Sequence, residues 1–275
     1  MSPLSVVFGA MVGFSLGLTG GGGAIFAVPM LVYGLGIEPR QAVGISLASV
    51  GAMSAVGLLG RCRTGQVEFR TGLIFAIAGM FGAPVGSWLS DQIPELLLLM
   101  LFAILMLVIA ARMWNTASDP ASDISMAGAA EDEGAAGPTC RRDVAGKLRL
   151  TSRCAALLIA VGVATGILSG LFGVGGGFVI VPSLVLFSGM AVHRAVGTSL
   201  LVITLVSMAG VTSHLLSGRT ISVDTALLFV TGGIGGMLLG MLASRRLSGP
   251  SLQRGFAAAI VAVAIFVIAR TAFLV

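Results

Sequence analysis

The residues of this chain best suited to holding a ligand carry no charge. Gly20, Gly21, Gly22 and Gly23 interrupt one strongly apolar stretch, and Gly173, Gly175, Gly176 and Gly177 interrupt another. Consecutive glycines gain nothing for helix packing, and each costs about 1 kcal/mol of helix stability relative to alanine. Glycine does permit backbone angles closed to other residues, and it lets a ligand approach the main chain closely. A helix restarting after such a break, near Ala24 or Phe178, presents unpaired N–H groups and the positive end of its dipole. That is anion-binding chemistry without a basic side chain. Ser46 and Ser199, with Thr198 beside the second, follow the two breaks. A hydroxyl there can donate to an oxyanion, or bond back to its own helix. Arg40, His193 and His214 are candidates for gating or proton coupling, because histidine titrates near neutral pH. Their place near segment ends favours headgroup or loop contact as the default. No residue set reads as catalytic or metal-binding, and no cofactor is expected.

The elements that must position these residues are membrane helices. Of 275 residues, 56% are hydrophobic and 10% are charged, against about 25% charged in a soluble domain. With a mean hydropathy of +1.05, the chain cannot clothe a water-facing surface, and the composition implies an all-α integral membrane protein. The sequence pI near 10.1 does not indicate nucleic acid. The basic residues sit singly between apolar segments, as orientation in a membrane requires. Helices are expected at about 41–60, 70–90, 95–114, 195–217, 224–243 and 252–274. Two further apolar regions, 4–36 and 155–189, contain the breaks. The N-terminal stretch lacks a basic n-region and reads as the first membrane segment. Cys62, Cys140 and Cys154 read as ordinary thiols.

The chain repeats itself. Gly13, Gly17, Gly20, Gly22, Gly23 and Pro29 fall on Gly166, Gly170, Gly173, Gly175, Gly176 and Pro182, each 153 positions later. The stretch QAVGISL from Gln41 lies over RAVGTSL from Arg194, and Gly65 lies over Gly218. Residues 1–114 and 153–275 are therefore expected as two membrane repeats. Between them, 115–152 is rich in Ala, Gly, Ser and acidic residues and reads as a disordered linker. Its Glu131, Asp132 and Glu133 read as a solvated run, and its basic tail, Arg141 to Arg153, as a headgroup contact.

Region 4–36 as one helix would run roughly 50 Å, well beyond 30 Å of hydrocarbon. Broken at the glycines it becomes two short pieces, and the economical form is a re-entrant hairpin. Each repeat then crosses the membrane three times, and the second is inverted. On that topology one side collects 13 Lys/Arg residues and the other only Arg40, Arg219 and Arg270. If both broken regions crossed fully, the division would be about 11 against 5. The positive-inside rule favours the inverted arrangement, with a kinked single crossing as the alternative. The four-residue spacings Gly9/Gly13/Gly17, Gly162/Gly166/Gly170, Gly82/Gly86 and Gly236/Gly240 are read as helix-packing positions. Pro29 and Pro182 are read as kinks.

Each half opens with G-x-x-x-G-x-x-G-x-G-G, continues through Pro29-x-Leu31 or Pro182-x-Leu184, and then carries A-V-G-x-S at Ala42–Ser46 or Ala195–Ser199. This paired pattern resembles the sulfite exporter TauE/SafE family over essentially the whole chain outside the linker. The resemblance implies secondary transport of small sulfur-containing anions such as sulfite or organosulfonates. It carries Gly20, Gly22, Gly23 and Ser46, with Gly173, Gly175, Gly176 and Ser199, as positions of the family pattern. The first copy has Gly21 where the second has Val174, and Ala24 where the second has Gly177, so the two halves differ. The expected partners are a small anion, membrane lipid and a coupling ion such as the proton. A multi-pass protein of the cell membrane, the bacterial inner membrane, is the expected setting. The alternative is a transporter or channel for another small anion or organic acid. No P-loop is present, so ATP is not the direct fuel. A serine–histidine protease reads poorly, because Ser46 is duplicated as Ser199 while neither histidine is duplicated as a histidine.

Overall fold

The computed structural model describes residues 3–118, 152–188, 190, 192–218, 222–243 and 249–273. They form helices throughout: α1 Leu4–Thr19, α2 Gly22–Gly34, α3 Pro39–Cys62, α4 Phe69–Gln92, α5 Glu95–Ser118, α6 Ser152–Phe172, α7 Gly177–Ser188, α8 Val192–Leu216, α9 Val223–Ala243 and α10 Gly249–Phe273. The six unbroken helices lie where hydropathy places them, to within a few residues. Five described helices (within α3, α4, α6, α8 and α9) are long and apolar enough to cross a membrane. Large apolar side chains point outward, with Phe81 74% exposed and Trp88 62% exposed, as lipid contact requires. The acidic run and the basic residues Arg141, Arg142, Lys147 and Arg149 lie outside the described residues.

Two compact units result. One holds α1–α4 and α6–α9, and the other pairs α5 with α10. In the first unit the glycine spacings work as packing positions. Gly9, Gly13 and Gly17 of α1 sit against main-chain atoms of Phe229, Gly233 and Met237, so α1 and α9 run parallel. Gly232, Gly236 and Gly240 return the contact to Val6, Ala10 and Phe14. The second half repeats this geometry: Gly162, Gly166 and Gly170 of α6 sit against Phe75, Gly79 and Ala83 of α4, again in parallel. A Cβ at any of these positions would meet a backbone, so small residues set the helix separation. The first helix of each half thus packs on a late helix of the other half.

The corresponding helices α3 and α8 cross in opposite directions. Gly44 at the start of α3 faces His214 at the end of α8, while Gly51 faces Ser207 and Gly57 faces Leu200. After the first break, α2 folds back along α1. Gly23 lies against Ser15 and Leu16, and Gly34 lies against the Phe8 ring. In the second half Gly176 lies against Thr165 of α6.

The reading of all three cysteines as thiols needs correction. Cys62 is free, but the buried Cys154 is disulfide-bonded.

Candidate functional site

The two breaks begin alike. Gly20 ends α1 in the left-handed conformation (φ 74°), and its N–H donates to the Leu16 carbonyl at 2.8 Å. Gly173 ends α6 in the same way (φ 70°), its N–H donating to Ser169 at 2.8 Å. A side chain is strained in that region of backbone space, so glycine is required at both positions. The chain then turns at once, and residues 20–29 and 171–177 are all buried.

The breaks meet each other. A Cβ on Gly21 would stand 2.8 Å from main-chain atoms of Gly177, and one on Gly177 would stand 2.6 Å from Gly21 Cα. The serines close this junction crosswise. Ser46 Oγ donates to the Gly173 carbonyl at 2.6 Å, and Ser199 Oγ donates to the Gly20 carbonyl at 2.6 Å. Ser199 also lies 2.8 Å from the carbonyl of Val196 in its own helix, so its single proton is shared between two acceptors. Each half's serine therefore satisfies the orphan carbonyl that ends the other half's helix. The valine of A-V-G-x-S takes part too: Val196 packs on Gly20, and Val43 packs on Gly173. The motif is legible as one piece of a reciprocal clamp.

Gly20, Gly21, Gly22, Gly23, Ser46, Gly173, Gly175, Gly176, Gly177 and Ser199 are thus brought to one buried region. Thr198 is buried but engaged elsewhere. Its Oγ1 accepts from the Glu68 N–H at 3.0 Å and lies 3.7 Å from Met190 Sδ. Arg40 is half-buried at the start of α3, where Nη2 donates to the Asp91 carbonyl at 3.3 Å. His193 is exposed on the first turn of α8. His214, expected in a headgroup or loop setting, is instead only 1% exposed on the last turn of α8. Its imidazole fills the space over Gly44, where a Cβ would collide with it. The counterpart of Gly44 is Gly197, and it packs against the main-chain carbonyl of Gln66. The two ends of the clamp therefore differ: a titratable ring closes one, and a main-chain carbonyl of the α3–α4 loop closes the other.

Among the described residues the buried polar side chains are serines and threonines, plus His214, with no buried Lys, Arg, Asp or Glu. Such an interior is neutral when empty, and its donors are hydroxyls and main-chain amides. Sequence reading missed much of this set. Ser49, Ser54, Ser90, Ser169 and Ser207 are buried, and their hydroxyls have no hydrogen-bond partner among the described residues. Ser54 and Ser207 are separated by the same 153 positions as the glycines, which is the signal that could have identified them.

Comparison with known proteins adds to this geometry. The family described as Sulfite exporter TauE/SafE matches residues 5–267. A "probable membrane transporter protein" of Xylella fastidiosa is 35% identical over 96% of this chain and 93% of its own. The "probable membrane transporter protein YunE" of Bacillus subtilis is 29% identical over 88% of both chains. No solved structure matches the chain. The relatives' names and a helical fold with several apolar membrane-length helices agree with one another.

Proposed function

The chain belongs to the sulfite exporter TauE/SafE family, and on that premise we propose that it is a secondary transporter of a small sulfur-containing anion, sulfite or an organosulfonate. The observation that carries this reading is the meeting of Gly21 with Gly177, clamped by Ser46 and Ser199. Two helix restarts, α2 and α7, begin at that junction. Their first amides lack acceptors within their own helices, and their dipoles favour negative charge. Charged side chains at such depth would be costly, whereas main-chain dipoles leave the empty site neutral.

The repeats are 1–114 and 153–275, with 115–152 as linker, and the second repeat is inverted. One direction supports this: the equivalent helices α3 and α8 run antiparallel. Repeats related by an axis along the membrane normal would make α3 and α8 parallel. The return of α2 along α1 supports a re-entrant hairpin over a kinked crossing. The side bearing 13 of the 16 basic residues then faces the cytoplasm of a cell membrane, the bacterial inner membrane. In this arrangement transport exchanges the exposure of a fixed central site between two ends. His214 and Arg40 stand at one end, and Gln66 and Glu68 stand at the other. A proton gradient is the proposed driver, with His214 as the group that couples to it.

Counterflow in liposomes tests the proposal. Labelled sulfite is offered against sulfate, thiosulfate, methanesulfonate and acetate, with and without a proton gradient. Exchange of sulfite or the sulfonate, with accumulation against a concentration gradient, is the expected result. Exchange of acetate alone would point to an organic-acid transporter, and flux that only dissipates gradients would point to a channel. Either result overturns the proposal.

A further inference from the structure

We propose that Ser207 is a substrate-binding residue that donates its hydroxyl to the transported oxoanion at the second break, beside Gly175. This rests on the transport reading above and adds to it which half of the junction takes the ligand.

Several threonine hydroxyls in these helices bond back one turn, whereas Ser207 and four other buried serines have no partner among the described residues. Thr165 donates to Val161, Thr204 to Leu200 and Thr212 to Met208, each at 2.7 Å. Ser207 does not. It is 1% exposed, and its Oγ has no hydrogen-bond partner among the described residues. Its Cβ is seated against Gly51 of α3, where a Cβ would stand only 2.8 Å away. The hydroxyl lies 3.4 Å from the position a Cβ would take on Gly175. Gly175 (φ 65°) and Gly176 (φ 69°) are the left-handed residues that lead into α7. An unsatisfied buried hydroxyl is unfavourable, and here it points at a turn from which a helix restarts.

The first break carries a side-chain cap at a position where the second has none to offer. Thr19 Oγ1 accepts the Gly23 N–H at 3.3 Å, and the Ala24 N–H donates to the Gly21 carbonyl at 3.4 Å. The counterpart of Thr19 is Phe172, which has no hydroxyl to offer. The amides that begin α7 therefore lack this side-chain cap, and Ser207 stands beside the turn that precedes them. Val50 and Ile203 methyl groups line the rest of Gly175. A hydroxyl and main-chain amides in apolar surroundings suit a small anion with several acceptor oxygens.

Calorimetric titration of the full-length protein in detergent with sulfite tests this, alongside thermal melts without ligand. Ser207→Ala is expected to raise the sulfite Kd about five- to tenfold, the effect of one lost hydrogen bond to a charged ligand. The melting temperature of the ligand-free protein should hold or rise, because the substitution removes an unsatisfied hydroxyl. Ser46→Ala is the contrast, since its hydroxyl is already bonded to Gly173, and it should lower the melting temperature. An unchanged Kd in Ser207→Ala, with wild-type binding intact, overturns the assignment and leaves the transport reading standing. A weaker Kd accompanied by a lower melting temperature also overturns it, because the hydroxyl is then structural. If the wild type binds none of sulfite, thiosulfate or methanesulfonate, both this assignment and the transport reading fall.

Discussion

At Gly20 and at Gly173 the chain does the same thing: it ends a helix with a left-handed glycine and hands the freed carbonyl to a serine of the other half. Two residues later the two breaks part. Gly22 and Gly23 enter a 3₁₀ turn, with the Gly23 N–H met by Thr19, and α2 continues through one α turn into a π-helical end at Met30–Gly34. Gly175 and Gly176 stay left-handed, and α7 then starts as a regular α-helix of 12 residues. The two breaks differ in sequence at Thr19 against Phe172, Gly21 against Val174 and Ala24 against Gly177. The shared part is the pair of serine contacts that joins the two breaks, and the unshared part sets how the chain continues after each.

The comparison can be broken most forcefully where the halves touch. Gly21→Leu and Gly177→Leu each drive a side chain into the other break's main chain. Overpacking of this kind costs about 3 kcal/mol or more. Both variants should fail to give a monodisperse peak by fluorescence size exclusion, and to the same degree, since the contact is mutual. A well-behaved Gly177→Leu would mean that the breaks do not meet.

Next come the two clamps. Ser46→Ala and Ser199→Ala each leave a buried glycine carbonyl without its donor, at about 2 kcal/mol. Thermal melts should show a drop of several degrees in both. Because Ser199 shares its proton with Val196, its loss should cost less than that of Ser46, and the reverse order would contradict the geometry.

A smaller effect separates the two ends. Gly44→Ala collides with the His214 imidazole and should cost about 1 kcal/mol. Adding His214→Ala should recover most of it, a non-additivity that a double-mutant cycle reads directly. Gly197→Ala meets the Gln66 carbonyl, so no side-chain truncation can rescue it. Smallest of all is Thr19→Val, which uncovers the Gly23 N–H at about 0.5 kcal/mol. Sulfite titration of that variant sharpens the contrast. The first break then resembles the second, and affinity should hold or rise slightly.

Much of the fold was legible because its signals are local. Membrane helices announce themselves by length and hydropathy, and α3, α4, α5, α8, α9 and α10 lie where apolar runs put them. Glycines four apart mark faces for close packing, and those of α1, α4, α6 and α9 are used that way. The site was legible only in outline. Gly20 and Gly173 are legible from their place in consecutive or near-consecutive glycines, but Ser207 looks like any helical serine until its missing partner is seen. His214 near a segment end gave no sign that it would be buried over Gly44.

Composition and period sufficed to identify an all-helical membrane chain interrupted at two glycine turns, because those properties are summed over neighbouring residues. Which half supplies the donor for which carbonyl was decided by tertiary structure alone. Ser46 and Gly173 are 127 positions apart, and Ser199 and Gly20 are 179 apart. Nothing in the local pattern distinguishes a hydroxyl that bonds its own helix from one that reaches across. That choice belongs to helix directions and separations, which the backbone contacts of distant glycines set.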